Sequence, residues 1–110
     1  MARPPQPPPV THVVSGSWPR AELDEDVAAR YCQDLAAALS KRLTALGWSY
    51  RELERKSGVS HRAAAAIAQG LAAPDLRTIA RLELALEVDL LSWRSRTAAR
   101  QAASQGDSRG

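Results

Sequence analysis

Cysteine and aromatic residues are scarce in this chain of 110 residues. It contains one cysteine, no phenylalanine and only 5% aromatic residues. A single cysteine cannot form an internal disulfide or a cysteine-based zinc site, so neither stabilises the fold. Leu, Ala, Val and Ile must therefore build the core, which favours packed helices over a sandwich of sheets. Cys32 lies in a helical pattern, and we interpret it as a small apolar residue.

Long apolar runs are also absent. The N-terminus lacks the apolar segment of a secretory signal, and no run approaches the ~18 residues that a membrane span needs. We therefore expect a cytoplasmic protein with no membrane partner. The absence of asparagine, together with abundant alanine, proline and arginine, hints at a bacterial genome of high GC content. The net charge of +3 and the sequence pI of about 9.6 are compatible with nucleic-acid binding without requiring it.

The periodicity of apolar residues predicts an all-α fold. No stretch alternates convincingly between apolar and polar residues, so we predict no sheet. Residues 1–19 are rich in proline and are expected to form a flexible arm. A long helix is predicted over residues 24–46, because apolar residues recur there at three- and four-residue steps and acidic residues favour its amino end. Residues 96–110 are small and polar, and we expect a flexible tail.

Four shorter helices are predicted after the long one. The caps and the helices that they precede are Ser49 for 50–57, Ser60 for 61–69 and Asp75 for 76–86. The apolar face of the helix over 76–86 is expected to consist of Leu76, Ile79, Leu82 and Leu86. Asp89 is expected to begin a final short helix that carries Leu91 and Trp93, which makes five helices in all.

The segment "GVS" at residues 58–60 joins two of the short helices. Gly58 supplies the positive φ that a tight turn needs, and Val59 then places an apolar side chain in the core. Two short helices joined in this way are typical of a helix-turn-helix. Leu53 and Ile67 would face the core, which leaves the outer face of the second helix free to enter a major groove.

The surrounding residues extend this pattern from about residue 35 to residue 93. The Ser49 cap, the turn at 58–60, Ile67, Gly70 and the leucine series after Pro74 all stand at matching spacings. On these residues the sequence resembles lambda-repressor-like helix-turn-helix domains of the Cro/CI type, the XRE family. The resemblance implies a compact five-helix domain over residues 20–95 that binds double-stranded DNA with the helix over 61–69. It also implies a protein associated with the nucleoid.

Three residues depart from the usual pattern of that family. Glu54 stands where a small residue lets two helices approach, so we expect its side chain to swing outward or to push the helices apart. Ser57 stands before the turn glycine, where an apolar residue is usual. Glu87 stands where the fourth helix usually ends in glycine, so we expect strain there if its φ is positive.

The resemblance and the residue chemistry together select a candidate DNA-binding surface. Its residues are Tyr50, Arg51, Arg55, Ser60, His61, Arg62, Ala65 and Ala66. The resemblance places Tyr50 near a phosphate and residues 60–62 at the exposed start of the recognition helix. Alanine cannot hydrogen-bond a base edge, so Ala65 and Ala66 could only touch thymine methyl groups, and Arg62 is expected to read guanine. His61 could contact a base or a phosphate, or could simply be an exposed residue at the helix start.

The distribution of charge supports this placement. Residues 41–62 contain six basic and two acidic residues, a net charge of +4, whereas residues 20–34 carry a net charge of −3. Arg51 and Arg55 lie four residues apart, on one face of their helix, and are expected to contact phosphates. The positive part of the chain therefore lies around the predicted helix-turn-helix.

The leading hypothesis is a sequence-specific transcription regulator, and the family implies a repressor of bacterial or phage origin. The alternative is that the same fold binds protein, as an antitoxin, an accessory factor or an adaptor. We predict no enzymatic activity, because the chain has no paired carboxylates in a plausible cleft and no phosphate loop, and we expect no cofactor and no metal. A homodimer could form through Leu91 and Trp93 of the fifth helix or through the first helix.

Overall fold

The computed structural model describes residues 6–90, which form a bundle of α-helices preceded by a small sheet. The helices are α1 (Val27–Leu46), α2 (Tyr50–Ser57), α3 (His61–Ala68) and α4 (Leu76–Leu86). They follow a 3₁₀ helix (Pro9–His12) and the strands β1 (Val13–Ser15) and β2 (Glu22–Leu23). The described residues thus contain four α-helices where five were predicted in the chain. Leu91 and Trp93, which were to carry the fifth, lie outside the described residues.

Helix α1 begins later than the sequence suggested. The carboxylate of Asp26 accepts a hydrogen bond from the Ala29 amide at 2.8 Å, so Asp26 is the N-cap and Val27 is the first helical residue. The acidic residues expected in the first turn therefore precede the helix. Leu35, Leu39 and Leu43 form the buried part of the predicted stripe. At its start the stripe is exposed, because 54% of Val27 is accessible to solvent.

The starts of the three shorter helices agree with the prediction. The side chains of Ser49, Ser60 and Asp75 each accept a hydrogen bond from a backbone amide three residues later. Each bond satisfies one of the amides that a helix start leaves without a partner. Helix α3 ends at Ala68, one residue before the predicted end. Glu87 ends α4 with a φ of +54°, the left-handed conformation that was expected to be strained.

The core lies where the four helices meet. Its fully buried large side chains are Leu39, Leu53, Leu82 and Leu86. Val59, Ala64 and Ile67 complete the contact of the turn and α3 with this core. The prediction for α4 was correct for Ile79, Leu82 and Leu86 and wrong for Leu76, which is 76% exposed. Leu76 is the first residue of α4 and turns away from the core.

The prediction that the chain contains no sheet is wrong. Strands β1 and β2 pair antiparallel, with Val13 opposite Leu23 and Ser15 opposite Glu22, and the register shifts between these pairs. Strands of three and two residues are too short to show an alternating pattern, so periodicity could not reveal them.

Residues 6–23, which we call the N-terminal strap, lie against the helices. The Val10 amide donates to the Gly70 carbonyl at 2.9 Å, and the Trp18 indole nitrogen donates to the Ala68 carbonyl at 3.1 Å. The side-chain amide of Gln33 on α1 bonds both backbone groups of Ala21. The sequence suggested a flexible arm over residues 1–19. The structure places parts of this segment, the 3₁₀ helix and Trp18, against α1 and the end of α3.

The Trp18 ring lies so close to Gly70 that no side chain fits between them. A Cβ atom added to Gly70 would lie 2.7 Å from Cε2 of the ring and 2.8 Å from Cδ2. Gly70 also has a φ of +74°, which residues with a Cβ rarely adopt. Glycine is therefore required here for two independent reasons.

A comparison of two glycine substitutions measures this contact. Gly47 also has a positive φ, +69°, but an added Cβ there would meet nothing within 4 Å. We expect Gly47→Ala to lower the free energy of unfolding by about 1–2 kcal/mol through backbone strain alone. Gly70→Ala should cost about 1–3 kcal/mol more, because the new methyl group also collides with the Trp18 ring. Urea denaturation of both variants checks this, and equal costs would show that the strap does not lie on Gly70 in solution.

A pH-dependent contact should also hold the strap. The His12 Nδ1 atom lies 2.9 Å from a carboxylate oxygen of Asp24, and its Nε2 atom lies 3.9 Å from Asp26. The hydrogen bond to Asp24 is the main reason that the pKa of His12 is raised. The amide of Asp26, followed by His12, lowers the pKa of Asp24. A histidine whose pKa is raised by folding stabilises the fold below its unfolded pKa. A carboxyl group whose pKa is lowered by folding stabilises the fold above its unfolded pKa.

The two shifts together define a pH window. We expect the strap to be held most firmly between about pH 4 and pH 6.5. It should loosen as the pH rises through the His12 pKa, and again as it falls through that of Asp24. Hydrogen exchange of the Val10 amide, corrected for the intrinsic pH dependence, reports this opening. In His12→Gln the upper limit of the window should vanish, and a wild-type profile in that variant would contradict the assignment.

Candidate nucleic-acid interface

A tight turn of three residues joins α2 to α3. Gly58 has a φ of +77° and its amide donates to the Glu54 carbonyl at 2.8 Å, which closes the last turn of α2. Val59 then enters the core and is only 6% exposed. The Ser57 hydroxyl donates to the Leu53 carbonyl and accepts from the Val59 amide. Ser57, which departs from the apolar pattern, thus links the backbone of α2 to the middle of the turn.

Glu54 fastens α2 to the start of α3. One of its carboxylate oxygens accepts from the His61 amide at 3.1 Å and from the His61 ring Nδ1 at 2.7 Å. The side chain has therefore swung outward, one of the two outcomes expected for a large residue at this position. The bond to the His61 ring is the main reason that the pKa of Glu54 lies below its usual value. A negative charge at this helix start is also favoured by the dipole of α3.

This pairing changes the predicted role of His61. Its Nδ1 atom is occupied by Glu54, so only its Nε2 atom is left for a contact outside the chain. The sequence did not predict the pair. The sequence nevertheless contained a signal for this pair: Glu54 stands seven residues before His61, on the other side of the tight turn.

The outer face of α3 carries few polar groups. Arg62 and Ala63 are exposed, Ala65 and Ala66 are half-buried, and Ala64 is buried against the core. No hydrogen bond or ion pair joins Arg62 to another residue between 6 and 90. The surface therefore presents one guanidinium group followed by methyl groups.

Gln69, which was not predicted as a site residue, extends this face. It is the C-cap of α3 and its side chain is exposed. Arg62, Ala66 and Gln69 stand at positions i, i+4 and i+7, which lie along one side of a helix. A glutamine amide can bond two edge atoms of adenine, so Gln69 adds a second polar group to the stripe. The same spacing could have revealed it in the sequence.

The basic residues near the turn have different environments. Arg51 and Arg55 are exposed on α2, and Arg55 forms an ion pair with Glu52. Arg42 is already engaged, because its Nε atom donates to the Leu86 carbonyl at 2.9 Å, where α4 ends. Lys56 lies over the Trp48 ring, 5.1 Å from its centroid. Arg51 and Arg62 form no hydrogen bond or ion pair with another residue between 6 and 90, although the charge of Arg51 helps to lower the pKa of Glu54.

The remaining predicted site residues also have structural roles. Tyr50 is half-buried and packs against the core, so only part of its side chain can reach a ligand. The Ser60 hydroxyl accepts from the Ala63 amide at 3.1 Å as the cap of α3. Cys32 is half-buried on α1, and burial raises the pKa of its thiol, which disfavours the reactive thiolate.

Neither a metal site nor a membrane helix is found between residues 6 and 90. No group of three His, Cys, Asp or Glu side chains there is arranged to hold a metal ion. No helix in that part of the chain is long and apolar enough to cross a membrane.

Comparison with known proteins yields one match. A family model described as "Helix-turn-helix" matches residues 33–93, which is more than half of the chain. No curated protein and no solved structure matches. The matched region begins inside α1 and includes α2, the turn and α3, and it leaves the N-terminal strap outside.

The Glu54–His61 pair generates a pH-dependent prediction. A lowered carboxyl pKa means that the bond stabilises the fold above the unfolded pKa of Glu54 and is lost as the pH falls through its folded pKa. Glu54→Gln should therefore lower the melting temperature at neutral pH and have little effect near pH 3. Thermal unfolding followed by circular dichroism at several pH values measures the difference.

Glu52→Gln is the matched control for this prediction. Glu52 lies on the same helix but pairs with the exposed Arg55, and such pairs contribute little. A melting temperature that falls equally in both variants at neutral pH would mean that Glu54 does not link the two helices.

Proposed function

The chain belongs to the helix-turn-helix family of lambda-repressor-like, XRE-type DNA-binding domains, and on that premise we propose that it is a sequence-specific transcription regulator. It would act by occupying double-stranded DNA, with α3 in the major groove. Repression of a bacterial or phage promoter, in the nucleoid, is the form of control that we propose. Occupancy alone suffices for such a role, because a bound domain excludes other proteins from the same site.

The observation that carries this proposal is the outer face of α3. Arg62 has no partner between residues 6 and 90, and the next outward positions carry only methyl groups. A helix without long side chains can lie deep in the groove, where Arg62 can bond guanine and the Ala66 methyl can touch a thymine methyl. Gln69 can read adenine at the other end of the helix. Recognition would then depend on two polar side chains about two turns apart.

Contacts to phosphate would fix the position of α3. Arg51 and Arg55 project from α2, and Ser60 and the free Nε2 of His61 stand at the start of α3. Such contacts supply affinity and register but carry little sequence information. Arg55 must first leave Glu52, which costs little because exposed ion pairs are weak.

Two arginine substitutions separate base reading from phosphate binding. Arg62→Ala should lose about 1–3 kcal/mol of discrimination at one base pair, whereas Arg51→Ala should weaken binding to all sequences about equally. Arg51→Ala should also reduce the slope of log affinity against log salt concentration by about 1. Selection from random duplexes, followed by binding titrations at several salt concentrations, measures these effects.

Arg30→Ala provides the control for these titrations. Arg30 is exposed on α1, within the acidic part of the chain, and lies outside the proposed interface. Its removal should leave both the selected sequence and the salt slope unchanged. An unchanged selected sequence in Arg62→Ala would overturn the assignment of base reading to Arg62.

The alternative function is a protein-binding module built on the same fold. Leu71, which follows α3, is 54% exposed and supplies an apolar side chain beside the alanine face. The salt dependence distinguishes the two functions, since DNA binding weakens steeply with salt and an apolar protein contact responds little. Dimerisation through Leu91 and Trp93, which lie outside the described residues, or through α1 remains a prediction.

A further inference from the structure

Helix α4 has a second apolar face that points to solvent. Its inner face, formed by Ile79, Leu82 and Leu86, is buried in the core. On the other side Leu76 is 76% exposed and Leu84 is 83% exposed, the highest values among the exposed large apolar side chains between residues 6 and 90. The exposed Ala80 lies between them at a spacing of four residues, so the three residues form one stripe along the helix.

Two arginines lie along one edge of this stripe. Arg77 and Arg81 are both exposed, and each directly follows a residue of the stripe. We call these five residues, Leu76, Arg77, Ala80, Arg81 and Leu84, the α4 face. A contiguous apolar surface with charges at its edge is characteristic of a site that binds another protein. DNA binding does not explain the α4 face, because phosphates bind cations and make no favourable contact with exposed leucines.

The same chain carries a surface of complementary charge. Around the start of α1 the side chains of Glu22, Asp24, Glu25 and Asp26 are exposed. The first two turns of the helix add Val27, which is 54% exposed, and Tyr31, which is 36% exposed. We call these six residues the α1 patch. It offers apolar contacts next to carboxylates, whereas the α4 face offers apolar contacts next to guanidinium groups.

An antiparallel pairing of two α4 faces is disfavoured. Two antiparallel copies of α4 related by a two-fold axis through Ala80 would place Arg77 and Arg81 of both copies along the same edge. Like charges opposed in this way repel, and Asp75, whose pKa Arg77 and Arg81 help to lower, brings one negative charge near the two arginines of each copy. The two arginines therefore favour a partner surface that carries exposed carboxylates.

We propose that the α4 face of one copy of this protein binds the α1 patch of a second copy. The leucines of α4 would pack on Val27 and Tyr31, while Arg77 and Arg81 would face Glu22 and Glu25. Because the two surfaces differ, a bound pair leaves one α4 face and one α1 patch free, so further copies can add head to tail. The contact does not use α3, so it can form with or without DNA.

Sedimentation equilibrium of the full chain, without DNA, tests this contact. The mean mass should rise with protein concentration past that of two chains, and it should fall when salt is added. Arg81→Glu should weaken the association by roughly tenfold or more, since it places a carboxylate against carboxylates. Lys41→Glu changes the net charge equally but lies about four turns along α1 from its acidic start, and it should leave the association unchanged.

A charge exchange makes the test specific. Glu25→Arg should also be largely monomeric, because arginine would then oppose arginine. An equimolar mixture of Arg81→Glu and Glu25→Arg should associate again, since each variant retains one normal surface and the two altered surfaces now complement each other. Recovery in the mixture also shows that both variants are folded.

Three results would overturn the proposal. One is a wild-type chain that remains monomeric up to about 1 mM, where even a weak contact would be populated. Another is a mass that stops at two chains, which indicates a symmetric dimer. The third is a mixture of the two variants that stays monomeric. DNA is absent throughout, so failure of this contact and failure of the proposed regulatory function are separate outcomes.

Discussion

The bond between Glu54 and His61 fixes the start of α3, the proposed recognition helix. Helices α2 and α3 have eight residues each, well below the length at which an isolated helix is stable in water. Their angle is therefore set by tertiary contacts, which include the core and the contacts across the turn. Val59 provides the apolar contact and Glu54 the polar one, joining the side of α2 to the first residue of α3. Glu54 departs from the sequence pattern of the family, yet it helps to hold the two helices at a fixed angle, as the usual small residue does.

The alanines of α3 follow from the same geometry. Ala64 and Ala68 are buried on the inner side, where small side chains let α3 lie close to the core. Ala63, Ala65 and Ala66 on the other positions leave the helix thin enough to enter a groove. In the proposed complex, a helix with so few polar groups would discriminate between bases only at its ends, where Arg62 and Gln69 stand. Much of the specificity for DNA would then come from the shape of the duplex, and hydrogen bonds would select the base at a few positions only.

The features that could be predicted from the sequence are those with local causes. The caps Ser49, Ser60 and Asp75 act within three residues, and they marked the helix starts correctly. Leu76 was misassigned because periodicity identifies a stripe but does not fix whether its first member reaches the core. The Glu54–His61 pair and the strand pairing depend on segments brought together by the fold. The positions of the candidate DNA-binding residues could be inferred, but not which of them are engaged inside the chain, as His61 and Arg55 are.

The N-terminal strap adds contacts to α3 that the helices of the family domain do not supply. It lies outside the region that matches the family, yet it contacts the end of α3 through Trp18 and Val10. Helix α3 is consequently held at both ends, by Glu54 at its start and by the Trp18 indole at its finish. The fit is mutual, since the ring can lie there only because residue 70 has no Cβ. Gln69 directly precedes Gly70, so the strap also holds the backbone of Gln69, the second polar residue on the outer face of α3. In this chain the orientation of the recognition helix is therefore a property of the strap and the helices together.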